Sequence, residues 1–197
     1  MPAYVALLRG VNVGSAKRVP MGEWRALLEA MGYTRVATLL NSGNAVFCAT
    51  GRRTAKAHAA AIAEAIASRL NVQVPVIVKS ARELAAIVEG NTMAREVARE
   101  PGFDAARLLV AFVPDTAALA SLAAAADWVR PPERFQLGPH AAYLYCASGI
   151  LQSKAGEALL ANRFAAKDEA RAVTTRNWAT TLKLHALASA LAANADS

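Results

Sequence analysis

The residues best suited to chemistry lie in two stretches of the first half of the chain, both rich in glycine and in polar side chains. The first stretch follows an apolar run and contains Arg9, Asn12, Gly14 and Lys17; the second is the segment 41–44. Guanidinium, ammonium, amide and hydroxyl groups donate hydrogen bonds to phosphate and carboxylate oxygens. Glycine also allows a backbone to approach such an anion closely. These residue types indicate an anion-binding site.

The predicted topology brings the two stretches together. Both follow predicted strands that run parallel in the same sheet, so the segments after them lie at one edge. The candidate ligand-binding residues at this edge are Arg9, Asn12, Gly14, Lys17, Asn41, Ser42 and Asn44. The alternative interpretation is ordinary turn chemistry, because tight turns favour asparagine and glycine.

A second group of candidates precedes and enters the last predicted helix. Its members are Arg176, Asn177 and Lys183, with Ser153 and Lys154 as weaker additions. The cations would supply a second anion contact. The alternative is structural, with Thr175 or Asn177 capping the helix.

No residue pattern indicates a catalytic or metal centre. His58, His140 and His185 share no acid, nucleophile or metal-ligand spacing, and Cys48 and Cys146 form no CxxC motif. We therefore assign no catalytic residue, expect no metal and no cofactor, and leave open whether the protein is an enzyme.

The composition is that of a globular protein with an excess of positive charge. The chain has 197 residues, 55% hydrophobic and 19% charged, with a net charge of +7. We expect no membrane segment, no signal peptide and a cytoplasmic location, because no long apolar run is present. The oligomeric state does not follow from the sequence.

The positive charge is concentrated in the first part of the chain. Residues 1–80 carry a net +7, residues 81–106 carry −2, and residues 107–197 carry +2. A basic surface is typical of proteins that bind phosphate-bearing partners such as nucleic acids. The alternative interpretation is a solvated basic surface with no partner.

The first 80 residues predict a strand-helix-strand-strand-helix-strand order. Apolar runs predict strands over 4–8, 36–40, 45–49 and 72–78, with helices after Pro20 and Thr54. Pro75 places the fourth strand at a sheet edge, because proline cannot donate to a strand ladder. This order is typical of a ferredoxin-like unit.

The same order repeats after a helical connection over 81–106. Strands are predicted over 108–113, 134–137, 141–146 and 171–174, with helices after Asp115, over 153–163 and over 178–191. Val46–Gly51 matches Leu144–Gly149 in residue type, which indicates two copies of one unit. We predict an α+β fold: two ferredoxin-like units with mainly antiparallel sheets, residues 1–80 and 107–197, and a C-terminal helix.

Four motifs give the chain a family resemblance. They are Arg9–Gly14, Asn41–Phe47, Tyr143–Cys146 and Thr174–Trp178. In these motifs the chain resembles the bacterial family known as domain of unknown function 1697. The resemblance implies a two-lobed α+β fold that includes ferredoxin-like units, and it implies no activity.

We expect an anion-binding protein whose partner is a nucleotide or a nucleic acid. The first and third strands are apolar on both faces, so Tyr4 and Phe47 should be buried and no open sheet should remain for bases to stack on. The alternatives are an enzyme acting on a small phosphorylated or carboxylated substrate at the same edge, and a structural or protein-interaction module.

Overall fold

The computed structural model describes residues 1–13, 17–164 and 173–193. The described residues form two compact units, one within Met1–Leu84 and Leu184–Ser197 and the other within Ala85–Lys183. The domain boundaries expected after residues 80 and 106 stay predictions. Across the described ranges, no helix is both long enough and apolar enough to cross a membrane.

The first unit contains a four-stranded antiparallel sheet with strand order β2-β3-β1-β4. Its elements are β1 (Ala3–Leu8), α1 (Met21–Ala30), β2 (Thr34–Leu39), β3 (Asn44–Cys48), α2 (Ala55–Leu70) and β4 (Val76–Ser80). This element order and strand order define a ferredoxin-like unit, which confirms the prediction.

The second unit contains a sheet with order β6-β7-β5-β8. The elements that follow β4 are α3 (Ala81–Glu89), α4 (Thr92–Val97), β5 (Leu108–Phe112), α5 (Thr116–Ser121), β6 (Arg134–Leu137), β7 (Ala142–Tyr145), α6 (Lys154–Leu160), β8 (Thr174–Asn177) and α7 (Trp178–Ala193). Short 3-10 helices cover Ala105–Arg107, Leu122–Trp128 and Ile150–Gln152. Two ferredoxin-like sheets and a C-terminal helix are therefore present, as predicted.

Side-chain caps confirm the helix starts predicted after Thr54 and Asp115. The Thr54 hydroxyl accepts from the Ala57 N–H at 3.2 Å, and the Asp115 carboxylate accepts from the Ala118 N–H at 2.8 Å. Ser80 and Glu83 form a capping box, with the Glu83 carboxylate accepting from the Ser80 N–H at 2.8 Å. Each cap satisfies backbone donors that a helix leaves without internal partners.

Two strands begin later than predicted. Strand β4 starts at Val76 and lies at the sheet edge, so the edge position inferred from Pro75 is right and the predicted start at residue 72 is wrong. Proline has a fixed φ angle and no N–H, so Pro75 cannot donate to the strand ladder. Its carbonyl accepts a hydrogen bond from the Arg9 N–H at 3.0 Å. The strand predicted over 171–174 is β8, which starts at Thr174; residues 171 and 172 lie outside the described residues.

The central strands of the first sheet are buried on both faces. Every residue of β1 and β3 is buried, including Tyr4 and Phe47. On one face they pack in a cluster with Trp24 of α1 and Ile62 of α2. The expectation that this sheet offers no bare surface for base stacking is confirmed.

The two units repeat one topology, but the residue match between their third strands is shifted by one position. Phe47 pairs with Tyr4, and Leu144 pairs with Leu109. Phe47 and Leu144 both belong to the cluster that the sheet forms with its helices. Phe47 therefore corresponds to Leu144, whereas the sequence match aligned it with Tyr145.

The helix caps confirm this shifted correspondence. Ser80 and Asn177 pair with Tyr4 and Leu109, respectively, and each caps the helix that continues from its strand. By the same register Cys48 corresponds to Tyr145, so Cys48 and Cys146 lie on opposite faces of their sheets. A shift of one residue reverses the face because side chains alternate along a strand.

Candidate functional site

The loops after β1 and β2 lie at the same end of the first sheet. Both strands are antiparallel to β3, which lies between them, so they run parallel to each other. The Leu8 N–H donates to the Gly43 carbonyl at 2.9 Å. We call the described residues of 9–19 and 40–44 the loop edge, and their proximity is as predicted from the topology.

Asn12 joins the two loops through its side chain. Its amide nitrogen donates to the carbonyls of Val19 at 2.9 Å and Asn41 at 2.7 Å, and its amide oxygen accepts from the Val19 N–H at 2.9 Å. The Asn12 N–H also donates to the Lys17 carbonyl at 3.2 Å. Both amide hydrogens are used internally, so Asn12 positions the loop edge and has no donor left for a ligand.

The turn after β2 is held by Asn44. This side chain is fully buried, and its amide nitrogen donates to the Leu39 carbonyl at 2.9 Å and to the Ser42 hydroxyl at 3.0 Å. Leu40 and Gly43 have φ angles of 57° and 72°. Asn44 therefore acts as a turn residue.

The cations of the loop edge differ in their surroundings. Arg9 is half-buried, and burial lowers the pKa of its guanidinium. Lys17 and Arg18 are exposed. A guanidinium that has lost part of its hydration gains more from an anionic partner than a fully hydrated one does. Gly14, also predicted for this site, lies outside the described residues.

Helix α1 starts beside these cations. Its N-cap is Pro20, and no side chain caps it among the described residues. The free N–H groups of a helix start favour an anion, although Glu23 in the first turn offsets part of that field. The helix start therefore adds a backbone contribution to the positive charge of the loop edge.

Two apolar side chains of the loop edge are exposed. Val13 is 74% exposed, and Leu40 is 55% exposed in a left-handed conformation that apolar residues rarely adopt. Exposed apolar groups next to cations can contact the ring of a nucleotide while the cations contact its phosphate. Backbone strain of this kind is concentrated at functional sites.

The second candidate group lies around β8 and α6. Asn177 accepts from the Thr180 N–H at 2.8 Å and Ser153 from the Gly156 N–H at 2.9 Å, so both are helix caps. Arg176 donates to the Thr175 carbonyl at 2.8 Å. Lys154 and Lys183 are exposed. The structural interpretation of Asn177 therefore applies, and the cations stay a predicted anion contact.

Sequence reasoning missed a buried hydrogen bond between Tyr33 and His58. The Tyr33 hydroxyl lies 2.8 Å from His58 Nδ1, and the rings of Tyr4 and Phe47 pack around the imidazole. Burial lowers the pKa of His58, and the positive charge of Arg53 lowers it further. The sequence did contain one signal that His58 is buried: it lies four residues before Ile62, on the apolar stripe of α2.

We expect the first unit to lose stability as the pH falls below about 6.5, the ordinary pKa of histidine. The native state holds His58 neutral while the unfolded chain takes up a proton, so stability decreases by up to about 1.4 kcal/mol per pH unit. Urea unfolding at pH 7 and pH 5 measures this change. His58→Gln should remove it, and the control His140→Gln, at an exposed turn, should retain it. Equal pH dependence of both variants would contradict the assignment.

Within the described part of the chain, no three histidine, cysteine, aspartate or glutamate side chains lie close enough together to hold a metal ion. Burial raises the pKa of the Cys146 thiol to about 11, so the thiol is protonated at neutral pH. Cys48 is also a buried free cysteine.

Comparison with known proteins finds a matching family model and a similar solved structure. The model of a family described as "Protein of unknown function (DUF1697)" matches residues 1–143. A similar solved structure is the conserved bacterial protein SP0830 from Streptococcus pneumoniae, at 21% identity and a TM-score of 0.69 over 95% of this chain and 98% of that one. No curated protein matches the chain.

Proposed function

Because this chain belongs to the DUF1697 family of proteins of unknown function, we propose its function from its own residues: it binds a phosphate-bearing ligand, a nucleotide or a nucleic acid, at the loop edge. The observation that carries this proposal is the position of Asn12. Its side chain joins the backbone at Val19 to the turn at Asn41. Helix α1 follows, and among the described residues no side chain caps its start. The proposal includes a cytoplasmic location, where such ligands are abundant.

The chemistry of the loop edge fits a phosphate ester better than a simple anion. Arg9, Lys17 and Arg18 supply charge for phosphate oxygens. Exposed Val13 and Leu40 supply apolar contact that inorganic phosphate or a small carboxylate would leave unused. The features described at the loop edge are cations, a helix start and exposed apolar side chains, all of which serve recognition. Binding is therefore proposed without an accompanying reaction.

A thermal-shift screen tests this function. Mononucleotides, inorganic phosphate and short RNA and DNA are added separately to the full chain. A ligand present at 100 times its Kd stabilises the native state by about 2.7 kcal/mol, which corresponds to an increase of about 5–10 °C in Tm. We expect such a shift with at least one nucleotide or nucleic acid and a smaller one with inorganic phosphate. No shift with any of these ligands at millimolar concentration would contradict the proposal.

A further inference from the structure

A second group of cations lies at the opposite end of the first sheet from the loop edge. Strand β3 ends at Cys48, which pairs with Ala3 at the start of β1, and the chain then passes through 49–54 into α2. Arg52, Arg53 and Lys56 lie on this connection and on the first turn of α2, and all three are exposed. We call these three residues the basic end.

Few carboxylates balance the basic end. The acidic residues in 1–80 are Glu23, Glu29 and Glu64. Glu29 pairs with Arg25 at 2.9 Å, and Glu83, just beyond this segment, is bound to Ser80. Among the described residues, no cation of the basic end forms a salt bridge. Neighbouring like charges repel, so an anionic partner would relieve an existing electrostatic cost.

The backbone and charge of Arg53 are positioned by the buried aromatic cluster. The Tyr4 hydroxyl donates to the Arg53 carbonyl at 3.3 Å. Burial raises the pKa of Tyr33, while the nearby Arg53 guanidinium acts in the opposite direction, which places that charge close to the Tyr33 hydroxyl. Arg53 is therefore anchored on the core, so less conformational entropy is lost when it contacts a ligand.

We propose that the basic end is a second phosphate-contact surface and that the physiological ligand is a nucleic-acid chain. The inference rests on the proposed function, because the first contact surface is the loop edge. The six residues of β1 separate the two surfaces by about 20 Å. A mononucleotide cannot span this distance. A duplex covers it in about six base pairs, since phosphates on one strand recur every 3.4 Å or so along the axis.

The test compares ligand length in a charge-matched pair of variants. The probes are adenosine monophosphate and fluorescent DNA and RNA hairpins with stems of 4 and 12 base pairs. The variant Arg52→Gln/Arg53→Gln/Lys56→Gln is compared with the control Arg95→Gln/Arg99→Gln/Arg163→Gln, which removes the same charge from exposed positions elsewhere. The affinity for each hairpin is measured by fluorescence anisotropy at several salt concentrations. The affinity for the mononucleotide is measured by calorimetry.

We expect the natural chain and the control to bind at least one type of 12-base-pair hairpin at least tenfold more tightly than the 4-base-pair hairpin. The basic-end variant should lose this difference, and its slope of log affinity against log salt should be less steep by about 2–3, near 0.9 for each phosphate contact removed. Binding of adenosine monophosphate should not change. Comparison of the DNA hairpins with the RNA hairpins identifies which type of duplex is preferred.

Two outcomes separate this inference from the proposed function. If the mononucleotide binds and the two variants show the same hairpin affinities and salt slopes, the basic end makes no phosphate contact and only the loop-edge function stands. If hairpins lose affinity in the basic-end variant but bind Arg9→Gln/Lys17→Gln as tightly as the natural chain, the basic end stands and the loop-edge function fails. Absence of binding by every hairpin would overturn the inference.

Discussion

Replacing Gly43 with alanine is expected to lower the free energy of unfolding by about 3 kcal/mol. Gly43 has a φ angle of 72°, and a Cβ atom there would lie 2.6 Å from Leu8 Cβ and 2.8 Å from Val11 Cγ2. The left-handed conformation costs an alanine about 1–2 kcal/mol, and forcing an atom into packed side chains costs about 1–3 kcal/mol. Urea unfolding measures the difference.

Gly51→Ala is the matched control. Gly51 has a φ angle of 86°, and nothing lies within 4 Å of the position its Cβ would take. Only the conformational cost of about 1 kcal/mol should remain. If both variants lose the same stability, the close approach of the β2–β3 turn to β1 is not present in solution.

Replacing Asn12 with alanine is expected to cost about 2–4 kcal/mol of stability and to weaken ligand binding at the loop edge. Three side-chain hydrogen bonds are lost, and the N–H of Val19, a fully buried residue, is left without its acceptor. Each such bond contributes about 1 kcal/mol, and an unsatisfied buried donor adds to the loss. Binding weakens because the loop no longer lies against the turn at Asn41.

Asn71→Ala separates the loss of the Asn12 hydrogen bonds from the cost of placing an alanine in a left-handed conformation. Asn71 has a φ angle of 52°, close to the 58° of Asn12, and it is exposed at the end of α2. It should lose about 1 kcal/mol and retain full binding. Similar losses in the two variants would show that the Asn12 side chain does not join the loops.

Local signals in the sequence predicted the elements well, because caps and turns depend on neighbouring residues. Thr54 and Asp115 begin the helices that they were expected to begin. The order of the elements was sufficient for the ferredoxin-like topology. Strand register was not predictable in this way, because it depends on which residues face the helices, and the match between the third strands was therefore wrong by one position.

The proximity of the two loops was predicted correctly, and the roles of their residues less well. Parallel strands were enough to place Asn12 beside Asn41. The sequence could not show that the side-chain amides of Asn12 and Asn44 donate hydrogen bonds to backbone carbonyls, because those partners are set by tertiary contacts. The Tyr33–His58 pair was missed for the same reason, since 25 residues separate its members.

Binding at the loop edge is tested most directly by calorimetric titration of a mononucleotide into matched charge variants. The ligand is the mononucleotide that raises Tm most, and the proteins are the natural chain, Arg9→Gln/Lys17→Gln and the control Arg95→Gln/Arg99→Gln. Hydrogen bonds to charged groups are worth about 1.5–3 kcal/mol each, so the loop-edge variant should bind at least about 100-fold more weakly. The control should bind within about twofold of the natural chain. Equal affinity of the loop-edge variant and the control would contradict binding at the loop edge.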